Sequence, residues 1–286
     1  MAFDYQTLKN LSSASFVANT LTGSDVGASQ ITTAVLANTA LTSTEFATSA
    51  VDLTSTTVTG TAPLSKGGTG LTAIGSAYQV LAANSGNTAF NYAPHGMKQM
   101  LVFTSTGTYT KSSSTVRYVH VQVQGAGGGA SGHGESGAAG GYAEKIIDVT
   151  GLTTVAVTIG TGGTGVYYSS AASDGTASSF GGLVSAGGGY GANRNNQHNG
   201  GVSGVGSGGD LNLYGGSGGG HEQVNSGMGG STFFGGPAPA GHPQGGNFAH
   251  NHQTHAAPGT GGTSGAHNGH RGSDGRPGII IVTEWY

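Results

Sequence analysis

The chain has 286 residues, of which 58 are glycine and none is cysteine, and it carries nine basic and twelve acidic side chains. Without cysteine, a disulfide framework, a thiolate zinc site and an iron–sulfur cluster are excluded. The formal net charge of −3 provides no basic surface for nucleic acid. No apolar run approaches the roughly 20 residues that a membrane span requires. We therefore expect no nucleic-acid partner and no membrane insertion.

The glycines are concentrated in one part of the chain. Residues 1–100 hold nine of them, and residues 101–286 hold the other 49. A glycine in regular structure costs roughly 0.5–1 kcal/mol relative to alanine. The total is therefore of order tens of kcal/mol, which exceeds the stability of an ordinary domain. We expect close backbone packing, a partner chain, or both to offset this cost.

Small and hydroxylated side chains dominate residues 1–62, where Thr, Ser and Ala account for 32 of 62 positions. Single apolar residues such as Leu11, Phe16 and Leu21 recur along this stretch without a sustained helical or strand period. A thin segment of this kind cannot bury its own apolar side chains. It predicts either an intertwined oligomeric shaft, with residues 1–50 as the anchoring end, or a flexible Ser/Thr-rich linker.

Residues 51–90 contain two predicted strands and a glycine-rich reversal. Val51 to Thr59 alternates as a short strand does, and the glycines at 67, 68 and 70 permit a sharp turn with positive φ. Tyr78 to Ala82 is predicted to be a strand that ends at an Asn-Ser-Gly turn. This segment resembles the connector of many bacteriophage tail-fibre proteins, which implies a trimeric shaft and connector over 51–100. The matching residues are Pro63, Leu64, Lys66, Gly67, Gly68, Thr69, Gly70, Leu71, Gly75, Gln79, Val80, Leu81, Asn84, Ser85 and Gly86.

After residue 100 the sequence predicts strands and no amphipathic helix. Strict alternation in 117–124 places Val119, Val121 and Val123 on one face of a strand. The apolar run of Ile279 to Val282 predicts a buried last strand that closes on the first ones, in an all-β architecture. The remaining predictions are a hairpin over 101–110 that turns at Gly107, and strands over 142–150, 153–160 and 178–188.

These elements resemble the glycine-rich fibre domains of phages and bacteria. The similarity rests on Phe103, Gly107, Thr108, Tyr109 and Thr110, on the Gly140–Lys145 segment, and on the Pro277–Val282 segment. It implies a β-sandwich tip over 101–286 with long glycine-rich excursions at one end. Glycine-rich chains also permit polyglycine-II packing as extended threefold helices, whereas collagen is excluded because the glycines do not recur at every third position.

The sequence supports neither a nucleotide-binding site nor a hydrolytic active site. The glycines of 125–130 follow a strand and precede Glu144 by about 20 residues, as in a dinucleotide fingerprint. That site needs a helix after the glycines, and residues 131–141 are too rich in glycine to form one. Ser131 and Ser207 lie in glycine runs rather than in a nucleophile elbow, and the carboxylates do not suggest a glycosidase pair. We therefore expect no enzymatic activity.

Histidines cluster late in the chain, with eight of the eleven after residue 190. His250 and His252, two residues apart in an extended chain, would face the same side. At a trimer axis they would supply six imidazoles, an octahedral set suited to a divalent transition metal. The alternative is that these histidines are exposed polar contacts on variable loops and bind no cofactor.

Loops on a rigid β scaffold are where recognition residues usually lie. Aromatic rings beside amide donors suit a saccharide or the exposed loops of a surface protein. Phe233 and Phe234 are expected to serve internal packing instead. The candidate receptor-binding residues are Tyr190, Asn193, Arg194, Asn195, Asn196, His198, Tyr214, His221, Phe248, His250, His252 and His255.

Together, the resemblances imply a structural protein of the virion, a homotrimeric tail fibre. Residues 1–50 would attach to a tail or baseplate protein, and the tip over 101–286 would adsorb to a receptor on the bacterial surface. The alternative is a purely architectural fibre or decoration protein without a receptor role.

Overall fold

The computed structural model describes most of the chain from residue 68 onward. By its contacts the chain divides into two units, 1–72 and 73–286, and nearly all described residues belong to the second unit. The anchoring segment and the predicted strand at 51–62 lie outside the described residues. The described ranges are 68–71, 75–77, 79–84, 86–132, 134–167, 171–192, 200–220, 227–237, 256–265 and 270–286.

A two-stranded hairpin opens the second unit. Strand β1 (Gln79–Ala83) pairs antiparallel with β2 (Phe90–Pro94). At the turn, Asn84 accepts a hydrogen bond from the Thr88 amide at 2.9 Å through its side-chain oxygen. The strand and turn predicted for this segment are confirmed.

Two five-stranded antiparallel sheets follow and pack face to face. The first has the order β10-β9-β8-β7-β4, and the second has the order β11-β6-β5-β12-β3. The second sheet therefore holds the last strand between two early ones, as predicted. The strands are β3 (Met97–Phe103), β4 (Gly107–Thr110), β5 (Tyr118–Gln124), β6 (Tyr142–Asp148), β7 (Thr154–Thr158), β8 (Ser178–Phe180), β9 (Val184–Ala186), β10 (Gly206–Ser207), β11 (Leu211–Leu213) and β12 (Ile279–Trp285).

The core lies between these two sheets and follows the alternation of their sequences. Val119, Val121 and Val123 of β5 are completely buried, which confirms the face predicted for them. On β12, Ile280 and Val282 are buried, while Ile279 and Ile281 are only half-buried. The predicted buried strand therefore alternates too, because only one face of its sheet is covered by the other sheet.

Two predicted elements were wrong in their pairing. The segment 101–110 is not a hairpin, because β3 pairs with β12 in the second sheet and β4 pairs with β7 in the first. The short link at 104–106 is thus a corner between the two layers. The single strand predicted over 178–188 is the hairpin β8–β9, which turns at Gly181 with a φ of 55°.

A buried carboxylate ties the two layers together near the chain terminus. Glu284 of β12 is completely buried and accepts hydrogen bonds from the Tyr109 hydroxyl at 2.7 Å, the Gln99 amide at 2.8 Å and the backbone and hydroxyl of Ser112. Burial alone would raise the pKa of Glu284, but the hydrogen bonds from Ser112, Tyr109 and Gln99 outweigh it and hold the pKa below its usual value.

Beyond one end of the sandwich, the glycine-rich sequence forms a bundle of extended segments. Eight of these segments adjoin a sandwich strand in the sequence. For example, the segment at 125–131 follows β5, and the segment at 272–278 precedes β12. The segments in the described residues are I (125–131), II (135–141), III (160–166), IV (172–177), V (187–192), VI (200–205), VII (215–219), VIII (227–231), IX (259–265) and X (272–278).

Segment I shows the geometry of the bundle. The amide of Gly125 donates to segment II, that of Ala126 to segment IV, and that of Gly127 to segment X, at 2.9, 3.2 and 2.9 Å. The next three amides repeat the same order of partners, II, IV and X. In the described residues no backbone hydrogen bond joins two residues of one segment. This period of three, with all bonds directed outward, is that of an extended threefold helix.

The carbonyls of segment I follow the same rotation toward three further segments. Those of Ala126, Gly127 and Gly128 accept from segments V, III and IX, at 2.8, 2.9 and 2.9 Å. Segment I thus has six hydrogen-bonded neighbours, and segment II likewise has I, V, VI, VII, VIII and IX. The other eight segments form a closed ring around this central pair, each bonded to the next. The threefold polyglycine packing that the sequence permits is present in one chain.

Glycine is required where neighbouring backbones touch. A Cβ atom added to Gly127 would lie 1.9 Å from the carbonyl oxygen of Thr260, and one added to Gly261 would lie 1.9 Å from that of Gly137. No Cβ atom tolerates such a distance from backbone. The high glycine content is therefore a packing requirement of the bundle.

Candidate functional site

The end of the bundle that points away from the sandwich collects five chain connections. Eight segments adjoin sandwich strands, and along the chain the other ends of these eight lead into the connections I–II, III–IV, V–VI, VII–VIII and IX–X. We call the set of five connections the far-end connections. The described residues that flank them are Gly132 and Gly134, Tyr167 and Ala171, Ala192 and Gly200, Gly220 and Gly227, and Gly265 and His270.

Ten of the twelve predicted receptor residues lie outside the described residues. Six of them belong to the connections 193–199 and 221–226: Asn193, Arg194, Asn195, Asn196, His198 and His221. The other four are Phe248, His250, His252 and His255. Their described neighbours, Pro237 and Ala256, follow segment VIII and precede segment IX at the sandwich end.

The sequence-predicted metal ligands His250 and His252 therefore stay a prediction. Within the described ranges, no group of three or more His, Asp or Glu side chains is arranged to hold a metal ion.

Tyr190 and Tyr214 are the two predicted site residues whose positions are described. Tyr190 lies in segment V and its amide donates to Val202 of segment VI at 2.9 Å. Tyr214 lies between β11 and segment VII, opposite Val205 of segment VI. All four side chains are well exposed, Tyr190 by 55% and Tyr214 by 77%. Tyr190, Val202, Val205 and Tyr214 lie in segments V and VI and directly before segment VII, which are neighbours in the ring.

A cavity of about 490 Å³ lies beside Tyr190, between segments IV, V and VI. Among the described residues, its lining consists of Asp174, Tyr190 and Val202 together with glycine and alanine. The Asp174 carboxylate accepts a hydrogen bond from the Gly191 amide at 2.8 Å. Sequence reasoning missed Asp174, because the three-residue period that brings segment IV beside segment V leaves no mark in the side-chain pattern.

The aromatic pair Phe233–Phe234 packs at the opposite end, beside the sandwich. Phe233 stacks on Tyr142 with 4.0 Å between ring centroids, and Phe234 meets the same ring edge-on. The Tyr142 hydroxyl accepts from Gln122 and donates to Glu144, each at 2.7 Å. Burial and the bond to the Glu144 carboxylate raise the pKa of Tyr142 above its usual range. The pair makes the ring contacts expected of a packing role, while Phe233 is 54% exposed rather than internal.

The glycine run that resembles a nucleotide fingerprint has its amides occupied. Each amide from Gly125 to Ser131 donates to a backbone carbonyl of another residue in the bundle. A phosphate-binding loop needs free amides at a helix N-terminus, and this segment is extended and surrounded by six others. The arrangement cannot cradle a phosphate.

Comparison with known proteins identifies the domain. A family model described as a glycine-rich domain matches residues 104–285. The chain belongs to this family. The match covers β4 to β12 and the whole bundle, so the glycine-rich domain comprises both the sandwich and the segments that extend from it. No curated protein is similar enough to this chain to count as a match.

The described part of the glycine-rich domain and of the hairpin before it contains no helix long and apolar enough to cross a membrane.

Proposed function

We propose that this protein is a structural tail-fibre protein of a phage virion whose glycine-rich tip binds a receptor on the bacterial surface. The observation that carries the proposal is the gathering of five connections at the end of the bundle farthest from the sandwich. The bundle is held by backbone hydrogen bonds, so the connections can vary in sequence without altering its packing. Loops displayed by a rigid scaffold commonly carry recognition.

The organisation of the fibre rests on the sequence. Residues 1–50 attach to a tail or baseplate protein, residues 51–100 form a homotrimeric shaft and connector, and the glycine-rich tip follows. The mass of the purified full chain tests this arrangement, and a monomer would contradict it.

The receptor role is tested by exchanging connections and leaving the segments intact. Residues 193–199 and 221–226 are replaced by Gly/Ser sequences of the same lengths, and binding of the labelled full chain to a panel of bacterial strains is measured. The matched control replaces residues 113–115, which lie in the link between β4 and β5 and include no predicted receptor residue. We expect loss of cell binding for the first variant and retention for the control. Unchanged binding by the first variant would overturn the proposal.

The architectural alternative is favoured by one observation on the second sheet. Its outer face carries exposed apolar side chains, including Met100, Val102 and Ile146, and such patches commonly mark contacts with other proteins. A fibre that only packs against virion proteins would bury this face and would bind no bacterial strain. Imaging of virions shows whether the tip points away from the particle.

The proposed metal at a trimer axis is tested separately. Elemental analysis of the purified full chain should detect a divalent transition metal that a double variant, His250→Ala with His252→Ala, does not retain. Equal metal content in the two proteins would remove this part of the proposal.

A further inference from the structure

The cavity beside Tyr190 is built on backbone that is firmly held. Segment V is bonded to segment VI through the amides of Gly187 and Tyr190, at 2.8 and 2.9 Å. Segment IV is bonded to segment V through the amides of Ala172 and Gly175, at 3.0 and 2.9 Å. The backbone around the cavity is therefore ordered in advance of binding, which reduces the entropy lost when a ligand binds.

The cavity combines one aromatic ring with one oriented acceptor. Tyr190 is 55% exposed although its backbone is part of the bundle. Asp174 Oδ1 accepts from the amide of Gly191, the residue that follows Tyr190. The second carboxylate oxygen has no partner among the described residues. A ring and an acceptor-only group thus lie within one shallow basin.

Glycine and alanine make up the remainder of the described lining. Gly200 and Gly201 are required by backbone packing, because a Cβ on either would lie 2.0 Å from a carbonyl oxygen, that of Gly218 or that of Tyr190. The cavity of about 490 Å³ is within the range of small-molecule sites. Asp174 is the one charged residue in the described lining.

We propose that this basin, defined by Tyr190, Asp174 and Val202, binds one ring of a neutral saccharide from the bacterial surface. This assignment rests on the proposed receptor function and names its ligand class. The C–H groups of a sugar ring are attracted to the negative face of an aromatic ring. The free oxygen of Asp174 accepts sugar hydroxyls in a charge-assisted bond.

Other ligand classes fit this chemistry less well. A quaternary or methylated ammonium is held by a cage of several aromatic rings, and the described lining has one ring. An anionic ligand would be repelled by the carboxylate of Asp174. A sugar ring, which presents an apolar face and several hydroxyl donors together, matches both groups that are present.

The first test measures saccharide binding directly. Saturation-transfer NMR of the full chain is recorded with glucose, galactose, mannose, rhamnose and N-acetylglucosamine, and with a glycan array of bacterial surface polysaccharides. We expect Tyr190→Ala to weaken binding at least tenfold. The matched control Tyr118→Ala removes a comparably exposed tyrosine of β5 that lies outside the basin, and it should change binding less than twofold. No binding to any glycan, or equal binding by Tyr190→Ala and the unchanged chain, would overturn the assignment.

A second test separates this assignment from the receptor proposal on which it rests. Cells of strains that bind the labelled chain are treated either with periodate, which cleaves the vicinal diols of sugars, or with protease. We expect periodate to abolish binding and protease to leave it. Protease-sensitive, periodate-resistant binding would refute the saccharide and leave the receptor role in place. Absence of binding to every strain would refute the receptor role, while the glycan array still decides the assignment.

Discussion

A single added methyl group in the centre of the bundle should be strongly destabilising. In Gly127→Ala the new Cβ would lie 1.9 Å from the carbonyl oxygen of Thr260, so segments I and IX must separate by more than 1 Å. Three backbone hydrogen bonds meet at this contact, each 2.9 Å long: Gly127 to Arg276, Gly163 to Gly127, and Arg276 to Thr260. Lengthening these hydrogen bonds leaves buried backbone groups poorly paired, and each such group destabilises the folded state by about 1–3 kcal/mol.

We expect Gly127→Ala to lower the free energy of unfolding by about 3–5 kcal/mol. For a domain of this size the melting temperature should fall by about 6–20 °C. Differential scanning calorimetry and urea titration of the full chain measure both quantities.

The control is the same substitution where the structure leaves space. Gly107 lies exposed on β4, has no atom within 4 Å of an added Cβ, and has no positive φ. Gly107→Ala should be neutral or stabilise the chain by up to about 1 kcal/mol, because alanine restricts the unfolded state. If the two variants unfold within about 1 kcal/mol of each other, the argument that close backbone contact requires glycine is wrong.

Two further predictions concern buried polar groups. Because the folded pKa of Glu284 is depressed, its stabilisation is present above the unfolded pKa of about 4.3 and is lost as pH falls through the folded pKa. Glu284→Gln should cost about 2–3 kcal/mol at neutral pH and flatten this acid dependence in urea titrations between pH 3 and 7; an unaltered pH profile would refute the role of the carboxylate. Tyr142→Phe keeps the ring that stacks on Phe233 but removes the hydroxyl between Gln122 and Glu144. Tyr142→Phe should lower the free energy of unfolding by about 1–2 kcal/mol in the same titration. An unchanged free energy of unfolding would mean that Tyr142 stabilises the fold through ring stacking and not through its hydroxyl.

The strands were predictable because apolar and polar residues alternate along a strand when one face of its sheet is covered. Val119, Val121 and Val123 alternate with polar residues, and the structure buries these three. The link at 104–106 was not predictable in the same way. A three-residue connection suits both a hairpin turn and a corner between layers, and the choice depends on β7 and β12, the distant strands that pair with β4 and β3.

The bundle was predictable in composition and not in arrangement. The glycine content permits extended threefold segments, but segments made of glycine, alanine and serine have nearly identical surfaces. Nothing in segment I distinguishes segment IV from segment VI as a neighbour. We infer that the sandwich strands decide the order, because eight segments begin or end at a strand whose place in a sheet is already specified.

Close backbone packing, one of the compensations expected from the glycine content, is present within a single chain. The other expected compensation is a partner chain. Each of the segments I and II has six hydrogen-bonded neighbours from the same molecule. The glycine content of this domain is therefore no longer evidence for a trimer, and the trimer proposal depends on residues 1–100 alone.

The same packing restricts where this domain can carry recognition chemistry. The two central segments contact backbone on all six sides, and glycine, alanine and serine fill them except for Glu135 at the first position of segment II. Most large side chains therefore lie on the outer sides of the ring, as Tyr190 and Val202 do, or in the connections at the ends. A mutation that changes a ligand contact therefore falls where the backbone hydrogen bonds are unaffected, while a mutation inside the bundle acts through folding. Binding and stability are consequently separable in this domain to a degree that a side-chain-packed core does not allow.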